Sequence, residues 1–154
     1  MKEYLIKNND KGQYGDITKK LREILSQCKT ESGDKIVRFE KGEYHFYWES
    51  AEENTVYASN TDTVLHPKNR SAINIDGIRN LTIDGCGSEF IMHGRMIALR
   101  ISESDNISLR NFSWDFPTAG TFQMDVKSVG RYYAEYYIPK SLQWKIEKGN
   151  IRWY

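Results

Sequence analysis

The sequence predicts a mainly β protein whose short strands stack as a parallel β-helix, and the main reason is an internal repeat. Residues 72–85, AINIDGIRNLTIDG, recur in altered form 26 residues later as residues 98–111, ALRISESDNISLRN. At this offset the aligned pairs are Ile75 with Ile101, Asn80 with Asn106, Leu81 with Ile107, Ile83 with Leu109 and Phe90 with Phe116. Periods of this length are typical of stacked repeats, and β-branched runs bounded by turn residues are typical of strands.

Composition excludes several classes of function. The 154 residues carry a net charge of +1, with 28% charged and 39% hydrophobic residues, as in an ordinary soluble domain. Without a lysine-arginine run, a nucleic-acid partner is not expected. An apolar run of roughly 20 residues would be needed to span a membrane, and none exists, so no membrane partner is expected.

The two cysteines and the N-terminus add little. Cys28 and Cys86 are too far apart in sequence to form a metal motif, and no metal site or other cofactor is predicted. The sequence leaves open whether they form a disulfide. Residues 1–10 lack the apolar segment of a signal peptide. The oligomeric state is also left open.

An amphipathic helix and a strand pair are predicted before the repeat. Asp16 is a candidate helix cap. Apolar residues then follow at helical spacing, at Ile17, Leu21, Ile24, Leu25 and Cys28. Such a helix would cover the open end of the first coil. Residues 35–46 predict two strands joined by a turn at Lys41-Gly42.

The repeat itself predicts three short strands in each unit. Residues 48–60 are interpreted as a loop and Lys68-Asn69-Arg70 as a turn. The strands of the first unit are predicted at residues 72–75, 80–83 and 89–92. Because alternate residues in a strand share a face, Leu81 and Ile83 should face inward, with Thr82 and Asp84 facing out. Asn80 and Asn106 should form a stacked amide pair.

A second module is predicted at residues 119–154, after a β-helical first domain at residues 1–118. Pro117-Thr118-Ala119-Gly120 interrupts the pattern, and Tyr and Trp residues become frequent. Longer antiparallel strands are predicted at residues 121–129, 131–138, 142–147 and 150–154, with turns at Gly130 and at residues 148–150. This pattern indicates the start of a β-barrel-like insertion. Since at least three repeats are normally needed for a stable solenoid, either a longer parent protein or an obligate assembly is expected.

Residues 81–117 resemble the N-terminal part of glycoside hydrolase family 110. The resemblance rests on D-G-C-G-S-E-F (residues 84–90), H-G-R-M (93–96) and N-F-S-W-D-F-P (111–117), with residues 36–48 and 70–80 fitting as well. The helix followed by G-D-K-I-V-R-F-E-K-G-E-Y is similar to the start of pectate-lyase-like β-helices.

This resemblance implies an exo-acting α-1,3-galactosidase on a right-handed parallel β-helix. Such enzymes remove terminal α-galactose from glycans, need no metal and invert the anomeric centre. Their catalytic carboxylates lie in later coils, so the chain alone is expected to be inactive. A secreted or periplasmic location is implied. The alternative is a non-catalytic carbohydrate-binding β-helix module; polysaccharide lyase chemistry is disfavoured because no calcium-binding acidic cluster is present.

Glu89 and Asp115 are the candidate catalytic carboxylates within the sequence. The 26-residue offset aligns them on adjacent strands, at about 4.8 Å. Adjacent-strand carboxylates suit retaining glycosidases, whereas inverting enzymes need a separation of roughly 6.5–9.5 Å. The alternative interpretation is two solvated carboxylates at strand ends, and it is the favoured one.

His93, Arg95 and Trp114 are the candidate substrate-binding residues. Arg95 is suited to clamp a sugar hydroxyl, or instead to pair with Asp84 or Asp115 in a turn. His93 is a candidate general acid or a hydrogen-bonded turn histidine. Trp114 is a candidate stacking platform or a core residue on one face with Phe112 and Phe116; Trp48 is a second such candidate.

Overall fold

The computed structural model describes residues 1–57, 67–117, 123–140, 142 and 144–153. The chain divides into two compact units, Met1–Pro117 and Thr118–Tyr154. In the first unit the strands are β1 (Lys2–Ile6), β2 (Lys35–Phe39), β3 (Glu43–Tyr47), β4 (Glu52–Thr55), β5 (Lys68–Asp76), β6 (Arg79–His93), β7 (Ile97–Ser102) and β8 (Asp105–Asp115). The helix α1 (Thr18–Thr30) and two short 3₁₀ turns at Asn8–Asp10 and Gln13–Gly15 precede β2.

The long strand β6 is the centre of the first unit. Its N-terminal half pairs with β2 and its C-terminal half with β3, both in parallel and 46 residues apart in sequence. Strand β8 runs parallel along its other edge, and β1 extends the sheet beyond β2. A second sheet has the order β4-β5-β7. The fold is therefore mainly β, and its larger sheet is parallel.

The predicted repeat register is confirmed between β5 and β7 and in the first half of β6 and β8. Ile75 pairs with Ile101 between β5 and β7. In the other sheet Leu81 pairs with Ile107 and Ile83 with Leu109. The amide of Asn106 donates to Oδ1 of Asn80 at 2.8 Å, so the predicted amide pair is present across the same 26-residue interval. One sequence period thus corresponds to one layer of strands.

Helix α1 begins at Thr18, two residues after Asp16, the residue predicted to cap it. Oδ1 of Asp16 accepts the N–H of Thr18 at 2.8 Å and so satisfies one of the unpaired donors of the first turn. The N–H of Ile17 donates to the carbonyl of His45, which ties this entry into α1 to strand β3.

The helix and both sheets of the first unit share one apolar core. The inward side chains are essentially inaccessible to solvent: Ile17, Leu21, Cys28, Val37, Phe46, Ile75, Ile83, Phe90 and Met92 are all fully buried. At its centre Phe90 contacts Phe39 and Phe46 and stacks on Phe112, with ring centroids 4.6 Å apart. Burial raises the pKa of the Cys28 thiol to about 11; both cysteines are free.

The register between β6 and β8 changes halfway along the strands. Asp84 pairs with Arg110, 26 residues on, but Ser88 pairs with Phe112, only 24 residues on. Two extra residues of β6 bulge out at Gly85–Gly87, where Cys86 and Gly87 have positive φ angles of 51° and 81°. The bulge is closely packed, because a Cβ on Gly85 would lie 2.5 Å from Cβ of Phe112.

The bulge makes two predicted pairings wrong. Phe90 lies opposite Trp114 rather than Phe116, and Glu89 lies opposite Ser113 rather than Asp115. Beyond the bulge every β8 residue is displaced by two positions relative to the sequence repeat.

Asp84 is buried, contrary to the prediction that it faces solvent. Its side chain is 8% exposed and accepts hydrogen bonds from the Asn111 amide, the Cys86 N–H and the Arg110 guanidinium. The Asn111 hydrogen bond is the main reason that the pKa of Asp84 lies below its usual value. This carboxylate therefore joins the bulge of β6 to the matching point of β8.

Polar segments before the repeat also differ from the prediction. Residues 68–70, predicted as a turn, begin β5, and the predicted loop contains β4, which pairs with them in antiparallel register. Strand β1 was not predicted. Charged residues on both faces of β4 and of the start of β5 hide the alternation that identifies strands.

The second unit contains two antiparallel hairpins within its described residues. Strands β9 (Asp125–Val129) and β10 (Ala134–Tyr137) form one, and β11 (Trp144–Glu147) and β12 (Asn150–Trp153) form the other. The predicted turns at Gly130 and at Lys148-Gly149 are confirmed, although the strands are shorter than predicted. Residues 118–122 and Tyr154, which belong to the predicted break and strands, lie outside the described residues.

Replacing the central aromatic side chain tests this core. Phe90→Ala removes the ring that contacts three neighbouring phenylalanines, so the free energy of unfolding should fall by about 3–5 kcal/mol. Tyr57→Ala is the matched control, because Tyr57 is 71% exposed and its loss should change stability by less than about 0.5 kcal/mol. Chemical denaturation measures both, and equal effects of the two substitutions would contradict the packing described.

Candidate functional site

The outward side of strands β3, β6 and β8 in the first unit carries a group of carboxylate, imidazole and aromatic side chains. We call it the outer face, and it consists of Glu43, His45, Tyr47, Glu89, Ile91, His93, Ser113 and Asp115. These residues alternate with fully buried Tyr44, Phe46, Phe90 and Met92, which point to the core. Period-two alternation in three aligned strands therefore places these side chains on one surface.

Three carboxylates lie on this face. Glu43 pairs directly with Glu89 on the neighbouring strand, and Asp115 lies opposite Ile91, two residues further along. Strand geometry puts the Cα atoms of Glu89 and Asp115 about 8 Å apart on a diagonal. Both side chains are exposed. The candidate pair thus sits at a wider separation than the sequence repeat predicted.

Two histidines on the face form a hydrogen-bonded chain with Glu43. Nδ1 of His45 lies 2.8 Å from Nε2 of His93, and Nε2 of His45 lies 3.0 Å from Oε1 of Glu43. His45 is therefore engaged through both ring nitrogens. The order along the chain is carboxylate, imidazole, imidazole.

The turn before α1 fixes the position of His45. Asp16 forms a parallel bridge with His45, which continues the sheet beyond β3. Gly15, with a φ angle of 77°, lies against the imidazole, and a Cβ at this position would come within 2.6 Å of Cδ2 of the ring. A side chain at residue 15 would therefore displace His45 from His93.

Tyr47 orients the second histidine. Its ring lies parallel to that of His93, with centroids 4.3 Å apart and an interplanar angle of 6°. The Tyr47 hydroxyl donates to the carbonyl of Tyr14 at 3.3 Å, and its backbone N–H donates to Oγ1 of Thr18. The tyrosine is thus held from the same turn that positions His45.

The environment disfavours a positive charge on His93. Burial lowers its pKa below the ordinary value, and the neighbouring His45 lowers it further. Asp16, Glu43 and Glu49 act in the opposite direction but do not outweigh these effects. Near neutral pH, His93 is therefore a neutral imidazole with both donor and acceptor capacity.

Among the described residues, no hydrogen bond or ring contact joins Arg95 or Trp114, the other predicted binding residues, to this cluster. Arg95 follows the end of β6 and is exposed, and neither Asp84 nor Asp115 forms an ion pair with it. Trp114 is on the inner side of β8, opposite Phe90, with its ring 5.9 Å from Phe112 and 46% of its surface exposed. The structure therefore does not bring Trp114 together with His93.

Trp48 lies beside the outer face instead. Its backbone N–H donates to the carbonyl of His93, and the guanidinium of Arg70 lies 4.4 Å from its ring. Trp48 packs closely on Gly94, because a Cβ at residue 94 would lie 2.7 Å from Cβ of Trp48. Trp48 is 42% exposed.

Sequence reasoning missed Glu43, His45 and Tyr47 as site residues. The run E-Y-H-F-Y at residues 43–47 alternates polar with apolar positions, and this signal was sufficient to predict a shared outward face. The pairing of this run with β6 was not predictable, because the two segments, 46 residues apart, do not repeat each other in sequence.

The described side chains do not suggest a metal centre. Among them, no group of three or more His, Cys, Asp or Glu residues is placed to hold a metal ion. None of the helices in the described ranges is sufficiently long and apolar to cross a membrane. The outer face offers carboxylate and imidazole acceptors beside aromatic rings, a combination that suits a hydroxylated ligand with an apolar ring face.

Comparison with known proteins points to one kind of relative. The chain is 38% identical over 109 residues to α-1,3-galactosidase B of Phocaeicola vulgatus, covering 69% of this chain and 18% of that protein. It is 32% identical over 133 residues to α-1,3-galactosidase A of Shewanella woodyi, covering 85% of this chain and 21% of the relative. α-1,3-Galactosidase B of Bacteroides thetaiotaomicron is 42% identical over 99 residues, covering 63% of this chain and 16% of the relative.

These similarities support a family-level relationship to the α-1,3-galactosidases. The matched part spans about a fifth of the length of the curated relatives. No family model matches the chain.

The coupling between the two histidines can be tested by titration. His45→Gln removes the neighbouring imidazole that opposes charge on His93, so the pKa of His93 should rise toward its ordinary value while burial still holds it below. NMR titration of the His93 ring signals measures this change. Glu53→Gln on β4 is the control and should leave the titration unchanged.

The lowered pKa of His93 in the folded protein also determines how this histidine makes stability depend on pH. Because the folded protein has the lower pKa, the unfolded chain binds the proton more readily, and unfolding becomes easier as pH falls below about 6.5. A His93 pKa that stays constant or falls in the His45→Gln variant would contradict this account.

Proposed function

We propose that this chain forms part of a glycoside hydrolase that removes terminal α-1,3-linked galactose from glycans. The observation that carries the proposal is the similarity to several α-1,3-galactosidases, at 27–42% identity. A face with carboxylates, neutral imidazole and aromatic rings is consistent with binding a neutral sugar. The residue patterns at 84–90, 93–96 and 111–117 favour glycoside hydrolase family 110 within that group.

The proposed scaffold is a right-handed parallel β-helix of the pectate-lyase-like kind. Two sheets that share one 26-residue interval support it, because β5-β6 and β7-β8 then form successive coils. Helix α1 packs its apolar side on the core of these coils and would serve as their cap. The antiparallel hairpins after residue 118 would belong to a separate inserted module.

The proposed reaction is hydrolysis by single displacement with inversion. An acid protonates the leaving oxygen while a base activates water from the other face, at carboxylate separations of roughly 6.5–9.5 Å. Glu89 and Asp115 lie on a diagonal of adjacent strands and not directly opposite each other. Both are exposed, however, and no described group encloses a sugar between them, so we do not assign Glu89 and Asp115 as the catalytic pair.

A second candidate is a carbohydrate-binding module without hydrolysis. The half-exposed indoles of Trp48 and Trp114 favour it, because flat aromatic surfaces bind the apolar faces of pyranose rings. In that case Arg95, which follows the end of β6, would donate hydrogen bonds to sugar hydroxyl groups without taking part in a reaction.

Product analysis tests the hydrolase against the binding module. The protein encoded by the natural gene is incubated with galactosyl-α-1,3-galactose, and NMR follows the anomer released. The proposal expects β-galactose first, with α-1,4 and α-1,6 linkages cleaved at least 100-fold more slowly. Binding without release of galactose would instead establish the module.

Substitutions of the two candidate carboxylates test whether the catalytic residues lie on the outer face. With the catalytic pair elsewhere, Glu89→Gln and Asp115→Asn should change kcat less than threefold, as should the control Glu53→Gln. General acid or base groups contribute about 100- to 10,000-fold, so a loss of that size in either variant would place the catalytic carboxylates on the outer face.

A further inference from the structure

The hydrogen-bonded chain from Glu43 to His93 has a fixed direction when both imidazoles are neutral. An ionised carboxylate only accepts hydrogen bonds, so Nε2 of His45 carries the hydrogen toward Glu43. Nδ1 of His45 is then an acceptor, and Nε2 of His93 must donate to it across 2.8 Å. The remaining nitrogen, Nδ1 of His93, is left with a lone pair and has no hydrogen-bond partner among the described residues.

Addition of one proton reverses the direction of the hydrogen bond between His45 and His93. A proton taken up at Nδ1 of His93 allows the hydrogen on its Nε2 to pass to Nδ1 of His45. His45 becomes the imidazolium and faces the Glu43 carboxylate, while His93 remains neutral in the other tautomer. The charge thus rests next to its counterion, and the outward nitrogen of His93 has changed from acceptor to donor.

The surroundings of His93 define the kind of ligand that fits. Tyr47 stacks on one side of the imidazole, and Ile91 is partly exposed between Glu89 and His93, which gives an apolar strip. Glu43, Glu89 and Asp115 make the face acidic and oppose an anionic ligand such as a uronate or phosphate. The chemistry that remains is a neutral ring with several hydroxyl groups.

We propose that Glu43, His45 and His93 form a proton relay whose outward nitrogen, Nδ1 of His93, binds a hydroxyl group of a neutral sugar. The hydroxyl donates to this nitrogen when the pair is neutral and accepts from it when the pair holds one extra proton. The relay follows from geometry alone, whereas the choice of a sugar rests on the proposed function. His93 acts here as a binding residue, with His45 and Glu43 positioning its proton.

Nitrogen NMR of the 154-residue chain tests the relay directly. At pH 8, long-range ¹H–¹⁵N spectra should show both His45 and His93 as the Nε2–H tautomer. Glu43→Ala should convert a substantial part of His45 to the other tautomer, whereas Glu89→Ala, the matched change on the adjacent strand, should not. A His93 that carries its hydrogen on Nδ1 at pH 8 would overturn the relay.

Titration with methyl α-galactoside, methyl α-glucoside and methyl α-mannoside tests the ligand. At least one should shift the Nδ1 signal of His93 with saturation, and His93→Gln should weaken its binding at least tenfold. Glu53→Gln should bind normally, and thermal unfolding shows that each variant is folded. No saturable shift with any of the three sugars up to 50 mM would overturn the binding site.

The outcomes separate this inference from the proposed function. Binding of the glucoside or mannoside at His93, but not of the galactoside, would support the site and contradict galactose specificity. Hydrolysis of α-1,3-galactosides together with no saturable shift of the His93 signal for any of the three sugars would support the proposed function and overturn the site.

Discussion

Parallel backbone hydrogen bonds between layers of strands hold the first unit together, and the spacing of these layers decides where every side chain lies. No strand in this unit forms a tight hairpin with the strand that follows it in the parallel sheet. Strands β2, β3, β6 and β8 instead pair with strands 26 or 46 residues away, and β1 pairs with β2 at the interval from Lys2 to Lys35. Parallel pairing requires this separation, because the chain must cross over before it returns in the same direction. The core of phenylalanine and isoleucine forms only when this interval is kept.

The bulge at Gly85–Gly87 departs from the 26-residue interval between β6 and β8, and it shapes the outer face. By absorbing two residues it places Ser113 beside Glu89 and moves Asp115 to a diagonal position. The buried Asp84 carboxylate holds the bulge to the next strand through Asn111 and Arg110. The arrangement of acidic groups around His93 therefore depends on a buried charge that lies outside the site.

The repeat made much of the β scaffold predictable, because Leu81, Ile83 and their partners alternate in both copies. The bulge was not predictable, since three residues in one copy face the single Asn111 in the other and all of them are polar or small. Strand β4 was missed because pairing to β5, not apolar alternation, stabilises it. The histidine chain joins strands with no sequence repeat between them, so only the folded register reveals that His45 and His93 meet.

Disulfide formation between introduced cysteines measures this register most directly. In a Cys86→Ser background, Glu89→Cys combined with Ser113→Cys brings together residues on adjacent paired positions, at about 5 Å between Cα atoms and within disulfide range. Glu89→Cys combined with Asp115→Cys leaves about 8 Å, which is beyond that range. The account predicts rapid oxidation of the first pair and little of the second in the folded protein. Preferential oxidation of the second pair would contradict the bulge and, with it, the described arrangement of the outer face.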